Sequence, residues 1–247
     1  MEYKCHPAHA WEPFSTEVLG VVTMATSVPT EGLSRRRLSR ERVLRTAIER
    51  ADAGGLEALT MRTLAEMLEV APMALYRHVA NKDDLIDAMV DAVFAEVGVP
   101  AGGGDWRSAM RRRAIAIRDT LARHRWAIGL MESRRHPGPA NLRHHDAVIG
   151  RLRAAGFSVE MTAHAYSLLD SYIYGFALTT MNLPFDTTGE VTAVATSMLQ
   201  PLSVNEYPNL VEYITEHAMK PGYDHGGEFE YGLDVVLDGL EQVRDKA

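Results

Sequence analysis

The chain of 247 residues carries 26 Lys and Arg against 33 Asp and Glu, a net charge of −7, and 46% of its residues are apolar. That composition suits one large or two modest globular domains with a real core. A lone cysteine, Cys5, excludes an internal disulfide, no Cys/His spacing matches a zinc finger, and the apolar patch Val18 to Ala25 is too short and Gly-interrupted to span a bilayer. A cytoplasmic chain with no membrane contact is the expectation.

The charge is unevenly spread: residues 1–33 carry −3, residues 34–82 carry +4 and residues 83–247 carry −8. A small basic module ahead of a larger acidic one is the footprint of a nucleic-acid contact at one end of a soluble chain. Residues 1–33 mix Pro, Thr, Ser and Gly without a period and read as a disordered arm, or as an upstream extension if translation begins at Met24. From Ser39, the apolar residues Val43, Leu44, Ala47, Ile48 and Ala51 recur at helical spacing, and Gly54-Gly55 supplies the stop. Thr60 caps a short helix with Met61, Leu64, Ala65 and Leu68 on its apolar face. After Glu69-Val70-Ala71, Pro72 opens a second short helix carrying Met73, Leu75, Tyr76 and Val79. Two short helices joined by such a turn form a helix-turn-helix.

Asn81 caps a fourth helix with Lys82, Asp83 and Asp84 in its first turn and Leu85, Ile86, Met89, Val90, Val93 and Phe94 behind them. Ala101 to Asp105, three glycines next to Pro100, mark a hinge. Beyond it the pattern predicts helices over 106–126, 138–155, 158–182, 187–200, 206–219 and 228–245, punctuated by Pro137-Gly138, Gly156, Pro184, Pro201 and Pro221-Gly222. No strand-like alternation is long enough for a sheet, so the expected fold class is all-α. An N-terminal three-helix helix-turn-helix domain over 34–98 precedes a C-terminal helical bundle over 105–247.

Leu64, Ala65 and Leu68 can pack against Leu75 and Val79, which turns Met73, Ala74, Tyr76, Arg77 and His78 outward. Such a helix fits a major groove about 12 Å wide with its first residues nearest the base edges, and Arg77 is then the residue to read guanine N7 and O6. The string Leu59-Thr60-Met61-Arg62-Thr63-Leu64-Ala65, followed by Ala71-Pro72-Met73-Ala74-Leu75-Tyr76-Arg77-His78-Val79-Ala80-Asn81-Lys82-Asp83-Asp84-Leu85, resembles the DNA-binding module of the TetR family of bacterial repressors. The resemblance runs from Arg40 to Phe94. It implies that Pro72 and Met73 lie against bases, offering only apolar contact to a thymine methyl, while Arg62, Thr63, Tyr76, His78 and Lys82 hold phosphates. Arg35, Arg36, Arg37 and Arg40 form a basic arm ahead of the first helix, suited to a backbone or minor-groove contact. The chain departs from the family at Glu69, where relatives carry Gly in the turn; a left-handed residue there costs about 1 to 2 kcal/mol.

In the acidic half, Arg123-His124-Arg125-Trp126, Gly138-Pro139-Ala140-Asn141 and Leu152 to Phe157 resemble the subgroup named for the tetracycline repressor. That resemblance implies ligand binding and dimerisation by the bundle, with 158–182 and 228–245 as the dimer helices. Helix 158–182 reads as apolar nearly all round, with Ala163, Ser167, Ser171 and Gly175 every fourth place to permit close helix approach. A twofold dimer would set its recognition helices about 34 to 36 Å apart on a palindromic operator. The residues expected to line the pocket are His124, Trp126, Met131, His145, Tyr166, Asp170, Tyr174 and Met181. Asp170 and Tyr174 are the sharpest pair, one turn apart on a greasy helix, because a buried carboxylate needs a partner.

His144-His145-Asp146 lacks metal-site spacing, and no Gly-x-Ser-x-Gly elbow, P-loop or dinucleotide fingerprint is present, so neither a metal, a cofactor nor catalysis is expected. The reading is a homodimeric repressor of double-stranded operator DNA, released by a small-molecule effector. Residues alone leave two rivals open: a dimeric helical small-molecule-binding protein without operator specificity, and a helical enzyme. Salt-dependent operator affinity excludes the first, and turnover would be required for the second.

Overall fold

A computed structural model describes residues 38–99, 105–183 and 188–246, with the side chains of 188 and 189 left aside. The arm at 1–33, the basic residues Arg35, Arg36 and Arg37, and Ala101 to Gly104 of the expected hinge lie outside the described residues. Ser39 accepts the Arg42 N–H and starts α1 (Arg40–Gly54), and Gly55 ends it at φ 73°. A 3-10 turn at Leu56–Ala58 leads to α2 (Met61–Leu68). There the Thr60 hydroxyl accepts from the Thr63 N–H while Thr63 returns the bond to the Thr60 N–H, a capping box built from two threonines. Glu69 stands at φ 56° and ψ 42°, the left-handed conformation the turn demands.

Pro72 opens α3 (Pro72–Leu75), which is shorter than expected. Its continuation to Val79 tightens: the Arg77 N–H reaches the Ala74 carbonyl at 3.4 Å and the His78 N–H the Leu75 carbonyl at 2.8 Å, both i→i+3 bonds. Asn81 caps α4 (Lys82–Val97), ended by Gly98. Asp105, the last residue of the expected hinge, caps α5 (Trp106–Arg123). There follow α6 (Pro139–Ala154), α7 (Val159–Met181), α8 (Thr188–Leu199), α9 (Pro208–Tyr213) and α10 (His225–Arg244). The helix expected over 206–219 divides, because Ile214–Ala218 widens into a π-turn in which the Met219 N–H reaches back to Ile214. The last helix starts three residues early, since the Asp224 carboxylate accepts the Gly226 N–H. No strand occurs among the described residues.

Two hydrophobic clusters organise these helices. Val43, Ala47, Leu64, Leu68, Leu75 and Val79 fill the first, joined by Leu85 and Met89 of α4. Ile86, Val90, Val93 and Phe94, from the other side of α4, belong to the second with Ile117, Leu121, Val148, Leu152, Leu169, Ile173, Leu233 and Leu237. Each of the Val, Leu, Ile, Phe and Met side chains among them stabilises by about 1.5 to 3 kcal/mol when fully buried. Within one chain, α7 buries the stripe Ala165, Leu169, Ile173 and Ala177 and leaves Ala163, Ser167, Leu168, Ser171, Gly175 and Leu178 exposed, on the side expected to meet a second copy.

Helix α4 also meets α6 end-on. The Asp91 carboxylate accepts the Ala140 and Asn141 N–H groups at 2.8 and 2.9 Å, placing an anion on the positive end of α6. A Cβ at Gly138 would overlap that carboxylate, so glycine there is a condition of the contact. Gly138→Ala is accordingly expected to lower stability by about 1 to 3 kcal/mol through overpacking, read as a lower urea midpoint at unchanged m-value.

Candidate nucleic-acid interface and buried polar core

The segment after Glu69 divides cleanly by burial. Leu75 and Val79 are 0% and 2% exposed, whereas Met73 is 74% and Tyr76 45% exposed. Pro72 and Arg77 are exposed as well, and Ala74 and His78 half-buried. Leu64, Ala65 and Leu68 of α2 lie in the same cluster as Leu75 and Val79, so the packing that presents the outer face is the one read from spacing. Lys82 is exposed at the start of α4, and neither it nor Arg77 has an ion pair among the described residues.

The other candidates for this face carry prior commitments. Arg40 donates to the His78 carbonyl at 2.7 Å, which ties the start of α1 to the end of the presented segment. Arg62 pairs with Glu66 at 2.9 Å on an exposed helix surface, a pair worth only about 0.3 to 0.5 kcal/mol and easily exchanged for a phosphate. The Thr63 hydroxyl already serves the capping box, accepting from Thr60 and donating to a backbone carbonyl, so helix capping accounts for it.

The candidates for a pocket separate into three groups. His145, Tyr166, Asp170 and Tyr174 come together in the bundle. His145 stacks on Tyr166 with ring centroids 5.3 Å apart, and the Tyr174 hydroxyl donates to Glu132 at 2.9 Å. Met131 is simply core, and Met181 lies apart, on a cavity of about 150 Å³ with Phe176, Thr180, Arg118 and Ile128. His124 and Trp126 belong to neither. The His124 ring nitrogens face Asp52 of α1 at 2.8 Å and Glu96 of α4 at 3.1 Å, and the Trp126 indole donates to Asp52 at 2.7 Å. They join the N-terminal helices to the bundle, because α5 ends beside α1 and α4. Trp126 touches both hydrophobic clusters.

The polar group in the bundle centres on two residues that sequence reasoning missed as site residues. Arg113 of α5 is 4% exposed and its Nη2 lies 2.7 Å from Asp170 Oδ1. Its Nε donates to His144 Nε2 at 2.9 Å, and His144 Nδ1 donates to the Gly98 carbonyl at 2.8 Å. His144 is therefore the neutral Nδ1–H tautomer. Burial, and then the Arg113 charge, push its pKa down to about 4. Burial pushes the Asp170 carboxyl up, against the opposing pull of Arg113. Pairing with the Glu132 carboxylate, 3.7 Å away, raises His145, and the same pairing lowers Glu132. The Arg113–Asp170 ion pair lacks hydrogen-bond angles, so Arg113 Nη2, both Asp170 oxygens and the Tyr166 hydroxyl are buried without a hydrogen-bond partner among the described residues. A signal for Arg113 and His144 existed. Arg113 falls on the stripe Ala109, Met110, Ala114, Ile117, and His144 on the stripe Ala140, Asn141, Val148, where a solvated charge has no place.

Residues 43–89 match the family described as bacterial regulatory proteins, tetR family, and residues 99–244 match the tetracyclin repressor-like C-terminal domain. The HTH-type transcriptional repressor DrrR1 of Streptomyces coeruleorubidus is 33% identical over 83% of this chain and 77% of its own. The class C tetracycline repressor protein of Escherichia coli is 31% identical, over 84% and 93%. Among solved structures, the TetR family protein ActR of Streptomyces coelicolor in complex with actinorhodin is similar with a TM-score of 0.69 and 29% identity, covering 84% of this chain and 98% of that one.

The tautomer fixes a pH dependence. Between the ordinary histidine value near 6.5 and about 4, the unfolded chain binds a proton at His144 that the folded chain refuses. Stability from this group is thus complete above pH 6.5 and falls as pH drops toward 4, by about 3 kcal/mol at most. His145 acts oppositely: its raised value adds stability below pH 6.5 that is lost as pH rises through the folded value. Urea unfolding of His144→Asn at successive pH values should show a shallower acid limb than the parent, with the alkaline side unchanged.

Proposed function

The chain belongs to the TetR family of bacterial regulatory proteins and is a ligand-responsive DNA-binding repressor; from that premise we propose which surfaces read the operator, the effector and a second copy of the chain. Residues 34–98 are the reading head and residues 105–247 the effector and dimerisation domain. Two heads of a homodimer enter successive major grooves of a palindromic operator. Arg77 donates to guanine N7 and O6, Met73 and Pro72 meet a thymine methyl, and Ala74 lets the segment lie close to the bases. Tyr76, His78, Lys82 and Arg62 hold phosphates, with Arg40 beside them and Thr63 fixing the helix that carries Arg62. The observation behind this reading is the burial of Leu75 and Val79 against the exposure of Met73, Tyr76 and Arg77 on one short segment.

The second copy packs on the outer faces of α7 and α10, where Leu168, Leu178, Tyr231, Val235 and Val243 are exposed and the small residues Ala163, Ser167, Ser171 and Gly175 admit a close helix. The effector is a ring-bearing compound with a hydrogen-bond donor, as actinorhodin is the compound bound in the ActR structure, and it is received by His145, Tyr166, Asp170 and Tyr174. The stacked rings of His145 and Tyr166 and the unsatisfied Asp170 carboxylate support that chemistry. The matched relatives are transcriptional regulators, and no described helix is long and apolar enough to cross a membrane.

Affinity for the DNA upstream of the chain's own gene tests the head. Arg77→Ala should lose about 1 to 3 kcal/mol and relax specificity at one base pair, whereas Lys82→Ala should weaken operator and random DNA alike. Equal losses on both DNAs for both variants would refute the division of roles. For the dimer, Leu168→Glu with Val235→Glu should sediment as a monomer and lose operator affinity together.

A further inference from the structure

Three contacts run end to end through the protein interior. Asp170 Oδ1 meets Arg113 Nη2 at 2.7 Å, Arg113 Nε donates to His144 Nε2 at 2.9 Å, and His144 Nδ1 donates to the carbonyl of Gly98 at 2.8 Å. The three side chains are buried, at 7%, 4% and 1% exposure. Gly98 is the C-terminal cap of α4, the helix whose N-terminal cap, Asn81, follows the DNA-facing segment. The chain of contacts therefore begins among the groups assigned to the effector and ends on the helix that carries the head.

We propose that Asp170, Arg113 and His144 act as one relay, in which a hydrogen-bond donor of the effector arriving at Asp170 frees Arg113, and the loss is passed through His144 to the C-terminal end of α4. The proposal rests on the reading of the bundle as an effector domain, and it adds the residues that transmit the signal.

Each joint has a physical reason to respond to the one before it. Asp170 is held by an ion pair of poor hydrogen-bond geometry, and neither of its oxygens has a hydrogen-bond partner among the described residues. A ligand hydroxyl or ammonium can thus compete with Arg113 for it, where a well-made bidentate pair would resist. Arg113 cannot leave without consequence, since its Nε–H is the donor that fixes the His144 tautomer. A histidine whose Nε2 loses that donor can exchange the proton between its nitrogens or turn, and either event removes the bond to Gly98. There is room for the movement: a cavity of about 210 Å³ is lined by Gly98, Arg113, Ala116 and His144. His145, Glu132 and Tyr174 face the same group from α6, the preceding loop and α7, and Arg113 stacks over the Tyr166 ring at 5.3 Å. Arg113 so retains a cation–π partner when Asp170 is taken.

The relay is tested on the full chain by amide hydrogen exchange at residues 94–98, with neither DNA nor ligand present. Three variants each cut one joint. Asp170→Asn removes the pull on Arg113, and Arg113→Lys keeps the charge and loses the Nε bond. His144→Gln places an amide where Nε2 stood and abandons Gly98. Each should speed exchange at the α4 C-terminus severalfold, and the pair Asp170→Asn with His144→Gln should exceed His144→Gln alone by little, because a chain cut twice transmits no less than a chain cut once. His144→Asn, which keeps a donor at the Nδ1 position, should restore slow exchange at 94–98 while leaving Arg113 loosened. Actinorhodin, as probe, should speed exchange at 94–98 in the parent and not in His144→Gln. Additive effects in the double variant, or faster exchange spread evenly over α5, α6 and α7, would mean that the three residues only stabilise the bundle and would overturn the relay. Loss of coupling at 94–98 in the variants together with failure of actinorhodin to bind would leave the relay standing and refute the effector class; actinorhodin binding that releases DNA without changing exchange at 94–98 would do the reverse.

Discussion

One helix belongs to two cores, and the rest of the molecule is arranged around that constraint. Leu85 and Met89 of α4 close the cluster that holds α1, α2 and α3, while Ile86, Val90, Val93 and Phe94 close the cluster of the bundle. The positions alternate at helical spacing, so a rotation of α4 that improves one cluster withdraws side chains from the other. Close-packed interiors resist such compromise, and a shift of less than a methyl group is felt on both sides. The head and the bundle are consequently not free bodies joined by a tether. They share a wall.

Electrostatic contacts fasten that wall along its length. Arg134 reaches from the loop before α6 to Asp87, Asp91 sits on the N-terminus of α6, and Glu96 accepts from His124 and Arg123. His124 in turn meets Asp52 of α1, so the bundle grips the first helix of the head as well as the fourth. Burial resists ionisation of Glu96, yet the hydrogen bonds from Arg123 and His124 outweigh it and hold its carboxyl below the ordinary range. These contacts are spread along α4 and around it, and they leave Lys82 exposed at its start.

What the sequence disclosed follows the range of the physics behind each element. Thr60, Pro72 and Asn81 act on backbone groups within three residues, and the helix starts they announce are where the structure has them, whereas Asp105, read as the end of a hinge, caps α5. The left-handed Glu69 was readable for the same reason. The face of the presented segment was legible because Leu75 and Val79 are its apolar residues at helical spacing and share a cluster with the apolar face of α2. The bundle's polar interior was legible only in part. Asp170, Tyr166, Tyr174 and His145 stood out as polar residues on apolar helices, but Arg113 lies in the run Arg111-Arg112-Arg113 and looks like solvated charge until its stripe is traced. His124 and Trp126 were misplaced because their partners, Asp52 and Glu96, are distant in sequence and carry no periodic mark.

The buried ion pair raises the question of why the bundle keeps charges where leucines would pack. Replacing a buried pair by apolar residues of similar volume is often neutral or stabilising by about 1 to 4 kcal/mol, so stability alone gives no reason to retain it. Arg113 and Asp170 offer something an apolar pair cannot: polar atoms without a hydrogen-bond partner among the described residues, from which a ligand of the kind proposed would gain what the folded chain forgoes. An effector needs only a tenfold preference for one state, about 1.4 kcal/mol, to shift a two-state balance by the same factor, and one well-placed hydrogen bond to a charged group supplies that. A core satisfied throughout would be more rigid and would have nothing to exchange with a ligand. On the proposed reading, the imperfection at Asp170 is the physical form that responsiveness takes, set one arginine and one histidine away from the helix that holds the head.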